Sequence, residues 1–419
     1  MPFNGEFTPP GDKSISHRLI LMSLISKGDM LVNSLSDCED VKTSLNIFRT
    51  LGGRAEPEGD GLKLYGLEGK WDPPASLDLM CDNSGTTIRL LMGLLASKPG
   101  RYILDGDPQL RRRPMERVAE PLRLMGAKIE TTDGRPPVTI EGQNLVGMDY
   151  RLTKASAQLK SAILLAGLSA DGPTTVTEPA ATRDHTERLI HFFGGKIEVN
   201  DLTMTVQPSE LTLSKNFLTP SDPSSAAFFL TAAAFIPGSS VTAKNMLLSK
   251  GRIGFLRVLD RMGAKVSLTV NCDIPEPIGD VTIGYNGPLE ATEVMAEEVP
   301  SLIDEIPILA LAATQAKGQT IFHRVEELKV KETDRLASIR HQLSALGAGL
   351  NSDSNDLIID GPTSFIVPER LDSGSDHRLA MTLAIALKAA GGSVPILGRE
   401  SIAISYPDFD RHLTALWKD

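Results

Sequence analysis

The residues of this chain best suited to chemistry are basic ones set beside small polar clusters. Lys13, Ser14 and Arg18 lie in DKSISHR, Arg111, Arg112 and Arg113 in LRRRP, Arg183 in TRDH, Lys331 and Arg335 in KVKETDR, and Arg378 in DHR. Any one alone reads as a solvated charge. Together, at equivalent places along the chain, they read as a shared pocket. An arginine fork suits bidentate binding of phosphate or carboxylate, and a lysine supplies a point charge. The implied ligand is small and multiply anionic. Two carboxylates stand among these cations: Asp304, placed at the opening of an apolar helix, and Glu332, between Lys331 and the Asp334/Arg335 pair. A carboxylate surrounded by cations stays ionised, which suits a base. To act as an acid it must be desolvated or gain a proton during the cycle. The bland reading of each is a helix cap or an ion pair. His17, His185 and His377 neighbour Arg or Asp in the same motifs, and packing explains them as well as a site does.

The elements that must position these groups repeat. A small polar cluster leads into an apolar helix six times: DKSISHRLILMSLISKG, DNSGTTIRLLMGLLASKPG, ASAQLKSAILLAGLSADG, SDPSSAAFFLTAAAFIPG, SLIDEIPILALAATQAKG and SDHRLAMTLAIALKAAGG. The marker residues Ser14, Ser84, Ser156, Ser224, Asp304 and Asp376 are spaced by 70, 72, 68, 80 and 72. Ser, Thr, Asn and Asp cap helices, and helix starts present free N–H groups and partial positive charge. Most runs end in Gly and pass into a β-branched stretch, the signature of a helix end followed by a strand. Between them lie amphipathic helices ending in Gly-Gly or Gly-Ala, such as IFRTLGGRAE and LRLMGAKIE. Six α/β units of this kind make two domains of three, with the chain starting in one, crossing to the other and returning.

Composition narrows the class. The chain has 419 residues, 41% hydrophobic and 23% charged, which gives ample core for two globular domains. The formal net charge of −10 argues against nonspecific nucleic-acid binding, so local cations call for a specific ligand. Cys38, Cys81 and Cys272 are too widely spaced for a disulfide framework or a zinc site. No apolar stretch approaches the roughly 18 residues of a membrane span, and no signal peptide opens the sequence, so a cytoplasmic protein is expected. GDPQLRRRP lacks the GK[ST] of a phosphate loop, and no GxGxxG follows a strand. No nucleotide cofactor and no metal are expected.

PGDKSISHR, DNSGTTIRLL, RRRPM, ASAQLKSA, EPAATRDHTE, LIDEIPIL, KVKETDR and DHRLAM resemble, in order and spacing, the motif series of the 5-enolpyruvylshikimate-3-phosphate synthases, with a likeness to the class II branch. The resemblance implies an inside-out α/β fold of two similar domains, each of three βαβαββ units. It places domain 1 at residues 1–11 plus 222–419, domain 2 at 12–221, and the active site in the cleft between them. It implies shikimate 3-phosphate and phosphoenolpyruvate as substrates, no cofactor, and a monomer. Lys13, Ser14, Arg18, Ser156, Ala157, Gln158, Arg183, Asp304 and Lys331 match the shikimate 3-phosphate contacts. Lys13, Gly85, Arg113, Gln158, Arg335 and Arg378 match the phosphoenolpyruvate pocket. Asp304 and Glu332 match the proton-transfer pair, with Lys13 assisting. The sequence departs from the class I pattern at Ala157, where a second Ser is usual, and at Leu90, Glu327 and Ile404, the last standing where many members carry a Lys facing phosphoenolpyruvate.

Two other readings stay open on these residues. The related transferase acting on UDP-N-acetylglucosamine usually carries a Cys in the loop that here reads GDPQLRRRP. A non-catalytic phosphometabolite-binding protein on the same scaffold would have no use for Asp304 and Glu332.

Overall fold

The computed structural model describes residues 1–213, 216–351 and 355–417. The chain divides into two compact units, a continuous one, Gly11–Thr219, and a discontinuous one, Met1–Pro10 with Pro220–Asp419. Asp419, the expected end of domain 1, lies outside the described residues.

The continuous unit contains α1 (Lys13–Met22), α2 (Glu39–Thr50), α3 (Gly85–Leu95), α4 (Glu116–Leu124), α5 (Ala157–Gly167) and α6 (His185–Phe192). Of its eleven residues α3 buries ten, and α5 buries nine of eleven. A helix apolar on all sides must be central, and the three apolar helices take that place. The backbones of α3 and α5 touch: a Cβ added at Gly93 would stand 2.3 Å from the Ala162 carbonyl oxygen. Three four-stranded sheets surround these helices. One runs Ser76–Met80, Arg101–Asp105, Arg135–Glu141, Lys128–Thr132, its first pair parallel and the rest antiparallel. The parallel pair is joined through α3, because parallel neighbours need a crossover. In Arg135–Glu141 the side chains of Pro136, Val138 and Ile140 are buried, with more exposed neighbours between them, the period-2 pattern of a sheet with one covered face. A second sheet repeats this order with Asp149–Arg151, Thr174–Thr177, Thr203–Val206 and Ile197–Asn200. The third repeats it with Asn216–Leu218, Asp29–Asn33, Gly61–Tyr65 and Arg54–Glu58.

The discontinuous unit contains α7 (Pro223–Phe235), α8 (Gly254–Arg261), α9 (Ile306–Ala313), α10 (Arg335–Ala345), α11 (His377–Ala389) and α12 (Phe409–Leu416). All thirteen residues of α7 and all eight of α9 are buried. Its first sheet runs Asn4–Phe7, Ser240–Leu247, Ile278–Gly284, Lys265–Cys272, and its second Glu293–Val294, Gly318–Phe322, Leu357–Gly361, Gly349–Asn351. Both keep the same parallel-then-antiparallel pattern. The third sheet has two described strands, Leu371–Asp372 and Ile396–Leu397. After it the chain closes with α12, whose Phe409 stacks on Phe229 of α7 at 5.2 Å between ring centroids. The architecture is α/β, with repeated βαβαββ units whose helices lie inside their sheets.

In each unit one sheet takes its opening strand from a distant stretch of that unit's own chain. Asn4–Phe7 pairs with Ser240–Leu247, and Asn216–Leu218 pairs with Asp29–Asn33. The crossing segments are anchored locally, with the Asp222 N–H donating to the Pro10 carbonyl at 2.8 Å.

Candidate active site

Five of the six apolar helices begin with a side-chain cap. Asp12, Ser84, Ser156, Asp222 and Asp376 each accept a hydrogen bond from a backbone N–H of the first turn. The sixth, α9, differs from expectation. Asp304 does not open it; the N-cap position is Glu305, without a side-chain cap bond, and Pro307 sits in the first turn. Proline prefers that turn, which delays the helix until Ile306. Asp304 is thereby left in the preceding turn with its carboxylate among cations.

In the continuous unit, the first residue of α1 is Lys13, ion-paired to Asp40 at the start of α2. Arg18, almost fully buried, donates to Thr186 Oγ1 at 2.7 Å, Ser161 Oγ at 2.8 Å and the Ser14 carbonyl at 2.8 Å. Those three bonds go to neutral oxygens, so they orient the guanidinium without cancelling its charge. They also tie α1 to α5 and α6. Ser156 caps α5, and Ala157 and Gln158 form its first turn. Gln158 donates to Thr86 Oγ1 at 2.9 Å and accepts from Arg89, joining α5 to α3. At the start of α3, Arg113 donates to Asn83 Oδ1 at 2.9 Å, and a Cβ on Gly85 would stand 2.7 Å from Arg113 Nη1 and 3.2 Å from Arg89 Nη1. Glycine at position 85 thus lets two guanidinium groups approach one helix start. Arg183 is half-buried in the loop before α6. That loop is held by Glu178, which accepts from Thr182 and from the buried Lys160. Lys160 Nζ lies 2.7 Å from Glu178 and 2.6 Å from Glu187. Burial opposes the charge on Lys160, but the two carboxylates outweigh it and its pKa is raised. Burial pushes the Glu187 carboxyl up against the pull of Lys160.

The discontinuous unit brings Asp304, Lys331, Glu332, Arg335 and Arg378 together. Asp304 lies 3.2 Å from Lys331 Nζ, 3.6 Å from Arg335 Nη1 and 3.8 Å from Arg378 Nη2. Arg335 is fully buried. It donates through Nε to Asp376 Oδ2 at 2.8 Å, and through Nη2 to Asp376 Oδ1 at 3.3 Å and to Glu332 Oε2. Burial alone would lower its pKa, but Asp376, Glu332 and Asp304 raise it further. Its Nη1 is buried without a hydrogen bond and faces Asp304 Oδ1 at 3.6 Å. Arg378 donates to the Asp304 carbonyl at 3.2 Å and stands 3.6 Å from Glu305. Three cations therefore face four carboxylates, a more balanced set than the basic motifs suggested.

These contacts thus join Asp304, Lys331, Glu332, Arg335 and Arg378 in one unit and bring Gly85, Arg113 and Gln158 to the start of α3 in the other. Arg111 and His17 take no direct part: Arg111 is exposed and paired with Asp105, and His17 is buried inside the unit. Ile404 is half-buried at the end of a short 3-10 helix, Arg399–Ile404. Sequence reasoning missed Arg89, Asp40, Asn83 and Asp376 as site-shaping groups. Arg89 lay hidden inside an apolar run, although a lone charge there is itself a signal that it is paired or used.

The EPSP synthase (3-phosphoshikimate 1-carboxyvinyltransferase) family model matches residues 1–413. The chain is 42% identical over 418 residues to the 3-phosphoshikimate 1-carboxyvinyltransferase of Shouchella clausii, covering 99% of this chain and 96% of the relative. It is 43% identical over 409 residues to that of Acidithiobacillus ferrooxidans, covering 97% and 93%. The solved EPSP synthase of Acinetobacter baumannii superposes with a TM-score of 0.86 at 38% identity, covering 99% and 96%. The enolpyruvyl transferase NikO of Streptomyces tendae, at 19% identity and a TM-score of 0.78 over 99% and 95%, shares the fold. With these matches added to the residues gathered in each unit, the chain belongs to the EPSP synthase family.

Proposed function

We propose that this chain transfers the enolpyruvyl group of phosphoenolpyruvate to the 5-hydroxyl of shikimate 3-phosphate, releasing phosphate. The observation that carries the reading is the sharing of Arg335 by Asp304 and Glu332. Arg335 is already held by Asp376, and two further carboxylates on the same buried guanidinium are more than anion binding needs; they match a reaction that removes one proton and adds another.

Asp304, beside Lys331, Arg335 and Arg378, takes the proton of the 5-hydroxyl. The hydroxyl oxygen then bonds to C2 of phosphoenolpyruvate while its methylene carbon takes a proton from Glu332. Glu332 is paired with Arg335. An anionic substrate that engages Arg335 competes with Glu332 for the same guanidinium. Glu332, now a carboxylate, takes a proton back from the new methyl group as the bond from C2 to the phosphate oxygen breaks, which restores the double bond, and the departing phosphate carries away the proton held by Asp304. Lys13, Gly85, Arg113, Gln158, Arg335 and Arg378 hold phosphoenolpyruvate and stabilise the developing charge. Lys13, Ser14, Arg18, Ser156, Ala157, Gln158, Arg183, Asp304 and Lys331 hold shikimate 3-phosphate.

One chain supplies every residue in this scheme, so we read it as acting as a monomer without a cofactor. Two buried free thiols, Cys38 and Cys81, suit the reducing cytoplasm. Among the described residues no helix is long and apolar enough to cross a membrane.

Acceptor choice tests the reading. Phosphate release from phosphoenolpyruvate is expected with shikimate 3-phosphate and not with UDP-N-acetylglucosamine. Release with the sugar nucleotide instead would transfer the chain to the related enzyme. Binding of both anions without release would make it a binding protein.

A further inference from the structure

In sequence, α2 is an ordinary amphipathic helix. In the structure its first two turns touch the starts of both α1 and α3. Asp40 pairs with Lys13, and Thr43 donates to Asp82 Oδ2 at 2.6 Å, in the loop leading to α3. Ser44 Oγ lies 2.7 Å from His17 Nδ1 on α1 and 2.7 Å from Thr87 Oγ1 on α3, and Thr87 Oγ1 lies 2.6 Å from Ser84 Oγ, the cap of α3. His17, Ser44, Thr87 and Ser84 all have 0% exposure. Four polar side chains thus form an unbroken dry line from α1 to the residue before Gly85.

The hydrogens along the line are coupled. Burial holds the His17 imidazole down to about 3, against a partial counter-pull from Asp40, so it is neutral and carries one N–H. Nε2 makes no hydrogen bond. Nδ1 and Ser44 Oγ therefore share one hydrogen, carried by the ring or by the hydroxyl according to the tautomer. Ser44 and Thr87 share a second hydrogen, and Thr87 and Ser84 a third. Ser84 Oγ also accepts the Thr87 N–H at 3.2 Å, closing the cap. Each hydroxyl has one hydrogen to give, so fixing one donor orders the others.

We propose that His17 is a positioning residue: through Ser44 and Thr87 it sets the α3 start, with Gly85 and the guanidinium of Arg113 against it, in register with the Lys13 and Arg18 end of α1. The proposal rests on the enolpyruvyl-transfer reading for its kinetic readout and on the hydrogen-bond line for its structural one. His17 carries no proton in the reaction.

The test uses the full chain with His17→Leu, His17→Asn and Ser44→Ala, the last keeping the fold should the first not. Loss of the line is expected to raise KM for phosphoenolpyruvate about tenfold, since small misplacements at a site are amplified, with a much smaller change in KM for shikimate 3-phosphate. Amide exchange at residues 84–88 should quicken, and the pH–rate profile should keep its shape. His17→Asn, which can place a donor near the same point, should restore values close to those of the unsubstituted chain. Unchanged phosphoenolpyruvate KM and unchanged exchange in Ser44→Ala overturn the proposal. Equal rises in both KM values that track the loss of Tm overturn it too. If the unsubstituted chain releases no phosphate, the functional reading fails, and exchange at 84–88 alone decides the positioning claim.

Discussion

Arg335 shows how one side chain can organise a site. Its Nε and Nη2 are spent on Asp376 and Glu332, its Nη1 makes no hydrogen bond, and no part of it reaches solvent. Removing one partner from such a buried group typically costs about 3–5 kcal/mol, so Asp376 belongs to the site's stability as much as to its geometry. At Gly85 the constraint is space. Gly85→Ala puts a methyl group where Arg113 Nη1 now lies, 2.7 Å from the new carbon. The guanidinium is the far end of a flexible chain and will swing away, so the fold survives. Steady-state kinetics should show KM for phosphoenolpyruvate rising about tenfold or more, as expected from lost charge-assisted bonds, with Tm nearly unchanged. At this scale the sequence was most legible where charge sits in short polar motifs, as at Lys13, Arg18, Lys331, Arg335 and Arg378. It was least legible where a group's value comes from a neighbour far along the chain. Arg89 meets Gln158, and Asp40 meets Lys13, only after folding.

The helix starts are the elements that place these residues, and their spacing exposed them in the sequence. Where the expectation failed, at α9, Pro307 set the start later than Asp304 and freed that carboxylate for its cationic neighbours. Close helix contact is a second device. At Gly93 a Cβ would lie 2.3 Å from the Ala162 carbonyl and 2.8 Å from its Cα, backbone that cannot step aside. Gly93→Ala should therefore part α3 from α5, lowering stability by about 1–3 kcal/mol, the usual cost of overpacking, and loosening the Gln158 bonds to Thr86 and Arg89. Chemical denaturation and KM together would show it. Sheet edges carry a pH-dependent link. His323 lies 2.8 Å from Asp356 and 3.3 Å from Glu293, and those bonds raise its pKa. A raised folded-state pKa adds stability that is complete below the unfolded value near 6.5 and is lost as pH rises through the folded value. Tm should fall slightly between pH 6 and pH 8, and His323→Gln should flatten that slope. The half-exposed setting keeps the effect to a few tenths of a kcal/mol.

For the whole molecule, six repeats made two α/β units legible from the sequence, because each repeat carries the same order of apolar helix, glycine and strand. Strand partners across the excursion were not legible. Asn4–Phe7 and Ser240–Leu247 share no local signal, and only the completed sheet shows why the chain returns. Composition excluded classes and named none, since a net charge of −10 says little about where the cations gather. The family assignment supplied the substrates, the resemblance supplied the proposed roles, and the geometry shows which of those side chains meet within each unit. The central claim is that Asp304 and Glu332 move protons during enolpyruvyl transfer. The direct measurement is phosphate release from phosphoenolpyruvate with shikimate 3-phosphate present, for the unsubstituted chain, Asp304→Asn and Glu332→Gln. The prediction is release that requires both substrates and falls about 10²–10⁴-fold in kcat for each variant, the range for a lost general acid or base, with the fold intact. Unchanged kcat in either variant, or release without shikimate 3-phosphate, would contradict it.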